Sequence, residues 1–306
     1  MGGRRFCRLL LISVVFFSLA LGPLALFGEE EEIPSYVELG DAAFDRGNFD
    51  EAVDLYTKRL DEISSRAGNG GKAIVLSKRG KSYLSLMRYG EAVSDLDRAI
   101  SLAPGLVDAY YFRALAHLDM GRYTDAERDA ESAVKIDPNV CEYYTLLGKL
   151  KNIEGDYKGA LGDFDRAIGL DSKSAAAYCG RGFAFFGLVQ YDFARRDFRR
   201  AVKLAPDFAG AYRGMAVVSL SDEAGDGRTA LSYAERAVRL ERSHHNLNTL
   251  AAAYYRAGNL DSAVKVQGEA VKLLNDNGTP GEKIRLETPY GERLKLYEGE
   301  SAGGEE

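Results

Sequence analysis

The sequence predicts an all-α protein, a solenoid of about seven two-helix repeats. Small residues and tyrosines recur in columns with a step of 34 residues. The column of small residues consists of Gly80, Ala114, Gly148, Gly182 and Ala216. One tyrosine column consists of Tyr110, Tyr144, Tyr178 and Tyr212, and a second consists of Tyr89, Tyr123, Tyr157 and Tyr191. Such a period indicates a supersecondary unit that buries its apolar face against the next unit.

Each unit is predicted to contain two helices. In the third unit, Tyr110, Ala114 and His117 are three or four residues apart, the spacing of one buried helical face. The pattern breaks at Gly121, a second helix begins near Tyr123, and Pro138 ends it because proline disfavours helical geometry in the preceding residue. Gly or Ala where two helices cross lets their backbones approach closely.

The order of these residues resembles the tetratricopeptide repeat. The fourth unit has Tyr144, Leu147-Gly148, Tyr157, Ala160, Phe164 and Ala167 in that order. The resemblance implies a right-handed superhelical solenoid in which the first helix of every unit lines a concave inner surface. The predicted units are 33–66, 73–106, 107–140, 141–174, 175–208, 209–243 and 244–277.

The N-terminus has the pattern of a targeting segment. Arg4, Arg5 and Arg8 precede an apolar run over residues 9–27, and an acidic linker, 29–32, follows. A basic, then apolar, then acidic order is typical of a secretory signal peptide or an uncleaved membrane anchor, and both interpretations of residues 1–28 stay open. We therefore expect an extracytoplasmic protein, periplasmic or secreted, with a membrane contact through residues 9–27 if the segment is retained.

Outside the repeats, residues 66–72 are a Gly-rich insertion, interpreted as a loop. Residues 278–306 are predicted to form a loop, a short capping helix over 289–297 and a frayed tail, because a repeat array needs a cover for its last apolar face. The hairpin of the sixth unit is predicted to be loosened over 222–228.

No motif for chemistry emerges from the sequence. The chain carries a net charge of −6, which argues against nucleic acid as a partner. His244-His245 has no Cys, Asp or Glu at metal-ligand spacing, and Ala73 follows the Gly-rich insertion where a phosphate loop needs Ser or Thr. Acidic and basic residues elsewhere on the helices are interpreted as solvated surface. We expect no catalytic residue, no cofactor and no metal, and therefore no enzyme activity.

The resemblance places a partner on the concave surface. Two apolar sets face it, with polar residues between them, as a peptide groove requires. The predicted groove residues are Tyr111, Leu115, Leu118, Lys149, Asn152, Cys179, Phe183, Phe186, Arg213 and Tyr255. The alternative is that neighbouring helices already bury the apolar members.

The functional hypothesis is a scaffold or assembly factor that binds a protein or peptide partner in this groove. The alternative is an accessory or regulatory subunit of an enzyme or envelope complex, which a catalytically active partner would indicate. Some proteins with this repeat bind the C-terminal carboxylate of heat-shock chaperones. At the corresponding positions this sequence has acidic residues such as Asp41 and Asp108, which would repel a carboxylate.

Overall fold

A computed structural model describes residues 35–63, 69–221 and 227–303, and within them the chain is helical without strands. The helices are α1 (Tyr36–Asp45), α2 (Phe49–Glu62), α3 (Asn69–Ser85), α4 (Tyr89–Leu102), α5 (Val107–Asp119), α6 (Tyr123–Ile136), α7 (Cys141–Glu154), α8 (Tyr157–Leu170), α9 (Ala175–Gly187), α10 (Tyr191–Leu204), α11 (Ala209–Ser221), α12 (Gly227–Leu240), α13 (His244–Arg256), α14 (Leu260–Asn277) and α15 (Pro280–Gly303).

Consecutive helices pair into seven hairpins, from α1–α2 to α13–α14, and each hairpin packs on the next. The predicted all-α solenoid is therefore confirmed. The targeting segment 1–28, the linker 29–32 and residues 222–226 of the sixth hairpin lie outside the described residues. Among the helices that the structure does describe, none has the length and apolar character needed to cross a membrane.

Turn chemistry sets where the helices begin and end. Gly47, Gly121, Gly155 and Gly258 connect the two helices of their hairpins with positive φ, a conformation that glycine adopts without steric cost. After the second helices, Ala103, Asp137 and Ala205 each precede a proline and are extended, with φ of −143°, −134° and −136°. Glycine turns and prolines therefore end the helices at the positions predicted from the sequence.

The small-residue columns are sites of close helix contact. A Cβ on Gly148 would lie 2.8 Å from the ring of Phe164, and a Cβ on Gly180 of the next unit would lie 2.3 Å from the same ring. Phe164 is 1% exposed, so two helices from adjacent units enclose it. Phe198 repeats the arrangement between Gly182 and Gly214. One aromatic ring therefore joins its own hairpin to the following one.

Buried Arg–Asp pairs follow the same 34-residue register. Arg79, Arg113 and Arg181 bind Asp95, Asp129 and Asp197 within their own hairpins, with shortest nitrogen–oxygen distances of 2.6, 2.6 and 2.7 Å. Arg113 and Arg181 each also bind a carboxylate of the preceding unit, Asp97 at 2.5 Å and Asp165 at 2.6 Å. The interpretation of these charges as solvated surface was wrong, because their side chains lie where two hairpins meet.

Two predicted segments differ in the structure. The Gly-rich insertion is not a loop throughout, since Asn69–Lys72 form the first turn of α3. The final helix is not confined to 289–297, because α15 runs from Pro280 to Gly303 with Pro289 inside it. A proline in a helix interior removes one backbone hydrogen bond, so the sequence alone favoured a helix that begins at Pro289.

The Arg–Asp pairs predict a stability difference between buried and exposed carboxylates. Asp129→Ala leaves the half-buried guanidinium of Arg113 with only the exposed carboxylate of Asp97, and we expect the free energy of unfolding to fall by about 3 kcal/mol. Glu62→Ala is the control, because its pair with Arg59 is 3.2 Å long and solvent-exposed and contributes at most about 1 kcal/mol. Urea denaturation followed by circular dichroism measures both. Equal losses in the two variants would contradict the account.

Candidate partner-binding cavity

The C-terminal helix α15 lies along the seventh hairpin. The ring of Tyr297 stacks on Tyr255 with centroids 4.6 Å apart and an interplanar angle of 20°. Arg293 donates a hydrogen bond of 2.9 Å to the Asn248 side chain of α13, and Tyr290 is 4% exposed. These contacts cover the apolar end of the array with a complete helix.

The N-terminus of α15 also reaches the third hairpin. A Cβ on Gly121 would lie 3.1 Å from the Cα of Gly281, and the Tyr123 hydroxyl donates a hydrogen bond of 3.4 Å to the Gly281 carbonyl. Glycine at both positions permits this close backbone approach. The start of α15 therefore joins the third unit to the seventh.

A histidine–carboxylate cluster fixes the start of α15 on α13. The side chain of Glu282 lies 3.0 Å from Nε2 of His245 and 3.4 Å from Nε2 of His244, and the Tyr290 hydroxyl lies 3.3 Å from Nδ1 of His245. Burial lowers the pKa of His245 to about 4, so this ring is neutral at pH 7. Burial alone would raise the pKa of Glu282, but hydrogen bonds from both histidines and from Thr279 lower it well below its usual range.

The ligand atoms of His244, His245 and Glu282 lie within 4.8 Å of one another, a geometry that could hold a metal ion. The spacing argument missed this group because Glu282 is 37 residues from His245 in the sequence. A metal here would face Arg213, whose charge contributes to the lowered pKa of His245. The absence of a metal stays a prediction.

A cavity of about 610 Å³ lies between the first helices of units four to seven and α15. Its walls come from α7, α9, α11 and α13, the loops before α11 and α13, and Arg285 of α15. Its lining includes Thr145, Lys149, Asn152, Ile153, Ala176, Cys179, Phe183, Phe208, Gly210, Arg213, Glu241, His245 and Arg285. A smaller recess of about 230 Å³, next to the start of α15, shares Lys149, Ile153, Arg213, His245 and Arg285 with it.

Comparisons with known proteins agree with this architecture. A family model described as tetratricopeptide repeat matches residues 77–140, and a second with the same description matches residues 247–274. The chain contains tetratricopeptide repeats.

Hsc70-interacting protein 1 of Drosophila melanogaster is 36% identical over 90 residues, 28% of this chain and 22% of that protein. Sperm-associated antigen 1 of Homo sapiens is 32% identical over 89 residues, 29% of this chain and 9% of that protein. The chain therefore spans about a fifth or less of these relatives.

Solved tetratricopeptide-type structures are similar over more of the chain. A tetratricopeptide repeat protein from Parabacteroides merdae superposes with a TM-score of 0.68 at 18% identity, covering 86% of this chain and 97% of that one. PilW, a type IV pilus biogenesis factor, gives a TM-score of 0.57 at 18% identity, covering 73% of this chain and 97% of that one. At such identities the likeness establishes the fold alone.

Five of the ten predicted groove residues of the tetratricopeptide array line the cavity. They are Lys149, Asn152, Cys179, Phe183 and Arg213. The Asn152 amide donates a hydrogen bond of 3.0 Å to the Gly180 carbonyl, while its Oδ1 is buried without a partner among the described residues. Burial raises the pKa of the Cys179 thiol to about 12. Cys179 and Cys141 are both buried, and neither forms a disulfide. Asn152 therefore keeps a buried acceptor without a described partner, and the thiol of Cys179 is unreactive.

The other five predicted residues do not line it. Tyr111, Leu115 and Leu118 pack against Leu146 and Leu150 of the fourth unit, and Leu118 is 6% exposed. Tyr111 and Leu115 are half-buried by this packing, and Leu118 also lines the smaller recess.

Phe186 and Tyr255 do not line the cavity either. Phe186 packs against Tyr191 with ring centroids 5.7 Å apart, and α15 covers Tyr255.

Sequence reasoning missed Phe208, His245 and Arg285. Phe208 lies in the loop before α11, where helical phase does not predict the direction of a side chain. Arg285 belongs to the part of α15 that was interpreted as a loop. His245 was judged only as a metal ligand, although the first helix of the seventh unit was predicted to face inward.

Acidification is expected to release α15 from the seventh tetratricopeptide unit. His245 has a folded-state pKa of about 4, below the ordinary value of 6.5, so protons bind the released state more tightly and docking weakens as the pH falls through this range. Glu282, whose pKa is also lowered, acts in the same direction. Hydrogen exchange of α15, corrected for intrinsic rates, measures the effect between pH 7 and pH 4.

The control for this experiment is His245→Gln, which removes the titrating ring. We expect its exchange in α15 to depend less on pH, while exchange in α4 stays the same as in the natural chain. Protection of α15 that is constant or grows on acidification would contradict the assignment.

Proposed function

We propose that this protein is a scaffold that binds a segment of another protein in the cavity between units four and seven. The observation that carries the proposal is the cavity itself, about 610 Å³ in volume and lined by aromatic, polar and cationic side chains. Ligand sites in proteins typically have volumes of about 300–1,000 Å³ and combine apolar walls with a few polar groups.

The walls suit a polypeptide segment. Phe183 and Phe208 offer apolar surface, and Thr145 and Asn152 add polar side chains to the lining. The rings are fixed by packing, since Phe183 contacts Phe198 edge-on with centroids 4.9 Å apart. A preorganised wall lowers the entropic cost of association.

The proposed location is extracytoplasmic. It rests on the basic, apolar and acidic order of residues 1–32 in the sequence. A fusion of residues 1–32 to a reporter that is active only outside the cytoplasm tests it, and an inactive reporter would overturn this part of the proposal.

The names of the Drosophila relatives suggest a heat-shock protein as partner, but the first unit does not favour a bound carboxylate. Asp41 already neutralises Lys78 through two contacts of 2.7 Å. A lysine held by its own aspartate is a poor site for another carboxylate. We therefore place the partner in the cavity of units four to seven.

The test is a variant that fills the cavity without disturbing the core. Ala176 is exposed and lines the cavity, so Ala176→Trp adds a large ring inside it. Ala257→Trp is the matched control, because Ala257 is an exposed residue at the turn after α13. Each chain is crosslinked to its surroundings in cells that naturally produce it, and the bound proteins are identified.

We expect Ala176→Trp to capture at least about tenfold less of a specific partner, which the natural chain and Ala257→Trp both retain. Circular dichroism and urea denaturation establish that both variants fold. A partner retained equally by all three chains would place binding elsewhere and overturn the cavity proposal.

A further inference from the structure

Three cations meet at the cavity without an ion-pair partner among the described residues. They are Lys149 of α7, Arg213 of α11 and Arg285 of α15. Burial lowers the pKa of Lys149, and Arg285 and Arg213 add to this effect, whereas Asp119 and Glu282 oppose it. Arg213 lies over the ring of Phe183, 4.8 Å from its centroid, and makes no salt bridge with any described residue.

Three half-buried arginines elsewhere in the array behave differently. Arg79, Arg113 and Arg181 each bind a buried aspartate in their own hairpin, and two of them bind a second carboxylate. At these three positions, aspartates of the fold neutralise the cation. The cavity cations lack this compensation, and unpaired charge in a desolvated place is costly unless a partner supplies the opposite charge.

The carboxylates near these cations are few or already engaged. Glu282 binds His244 and His245, and Asp119 has a raised pKa because burial disfavours its charged form. Glu241 lines the larger cavity and is exposed. No described carboxylate lies within ion-pair distance of the three cations, so their hydrogen-bond donors stay available where the two recesses meet.

We infer that the partner segment presents an Asp or Glu side chain to Lys149, Arg213 and Arg285, with aromatic or aliphatic neighbours against Phe183 and Phe208. This inference rests on the proposed function. The three cations line both recesses, so they lie at the junction between the two. A chain that occupies both recesses would place an internal carboxylate at that junction, whereas a chain terminus would leave one recess empty.

A random dodecapeptide library displayed on phage is the probe, selected against the full chain at low ionic strength. We expect selected peptides to carry an acidic residue next to Phe, Tyr, Leu or Ile. Amidation of their C-termini should leave affinity unchanged, since the side chain is the bound group. Raising the salt concentration should weaken binding, because salt screens charge attraction.

Variants connect the affinity to the three cations. Lys149→Ala, Arg213→Ala and Arg285→Ala are each expected to lower affinity by about tenfold or more, since charge-assisted hydrogen bonds are strong. Lys203→Ala, which removes an exposed charge of α10, is the matched control and should bind like the natural chain. Lys149 makes no hydrogen bond or ion pair with another described residue, so its replacement tests the inference even if Arg213→Ala destabilises the fold.

The outcomes separate this inference from the proposed function. Peptides without acidic enrichment that bind the natural chain and fail to bind Ala176→Trp would support binding in the cavity. They would overturn the inference that the partner presents a carboxylate. Peptides that need a free C-terminus, or that bind the three cation variants as well as the natural chain, would also overturn the inference. A library without any binder would overturn both proposals.

Discussion

The structure depends on one steric constraint, the close approach of helix backbones at glycine and alanine. A ring such as Phe164 fits only because Gly148 of its own unit and Gly180 of the next have no Cβ. The same ring is in contact with two hairpins, so each unit completes the core of its neighbour. Any larger residue at these positions would separate the helices and remove both contacts at once.

Because the hairpins stack in this way, the first helices of units four to seven come to lie side by side. Their inner positions carry Lys149, Cys179, Phe183 and Arg213, which no hairpin could bring together alone. Helix α15 then adds Arg285 and a contact with the third unit at Gly121. The cavity is therefore a product of repetition along the chain and of one segment that departs from it.

Charge serves two purposes in this array. Where Arg113 or Arg181 lies between hairpins, aspartates of two consecutive units neutralise it and join them. Where Arg213 faces the cavity, an aromatic ring supports its guanidinium and no carboxylate neutralises it. The contrast between these arginines distinguishes positions that stabilise the array from positions available to a partner.

The sequence predicted the repeats well, because column spacing reflects contacts between adjacent units. Half of the predicted groove residues line the cavity, since positions such as Lys149 and Arg213 follow from helical phase. The sequence left open whether Tyr111 and Leu118 face a partner or pack between units, because helical phase predicts the direction of a side chain and not the distance to the next helix. It missed the full length of α15, whose residues Ile284 and Leu296 are exposed and whose Pro289 suggested a helix start.

The central claim is that α15 joins the seventh unit to the third and so forms one wall of the cavity. The most direct measurement is the distance between spin labels attached to cysteines that replace Arg122 and Lys283, in a chain whose Cys7 is replaced by serine. The structure predicts a single, narrow and short distance, because Gly121 and Gly281 are in backbone contact. A broad or long distance distribution would mean that α15 does not reach the third unit, and the account of the cavity would be wrong.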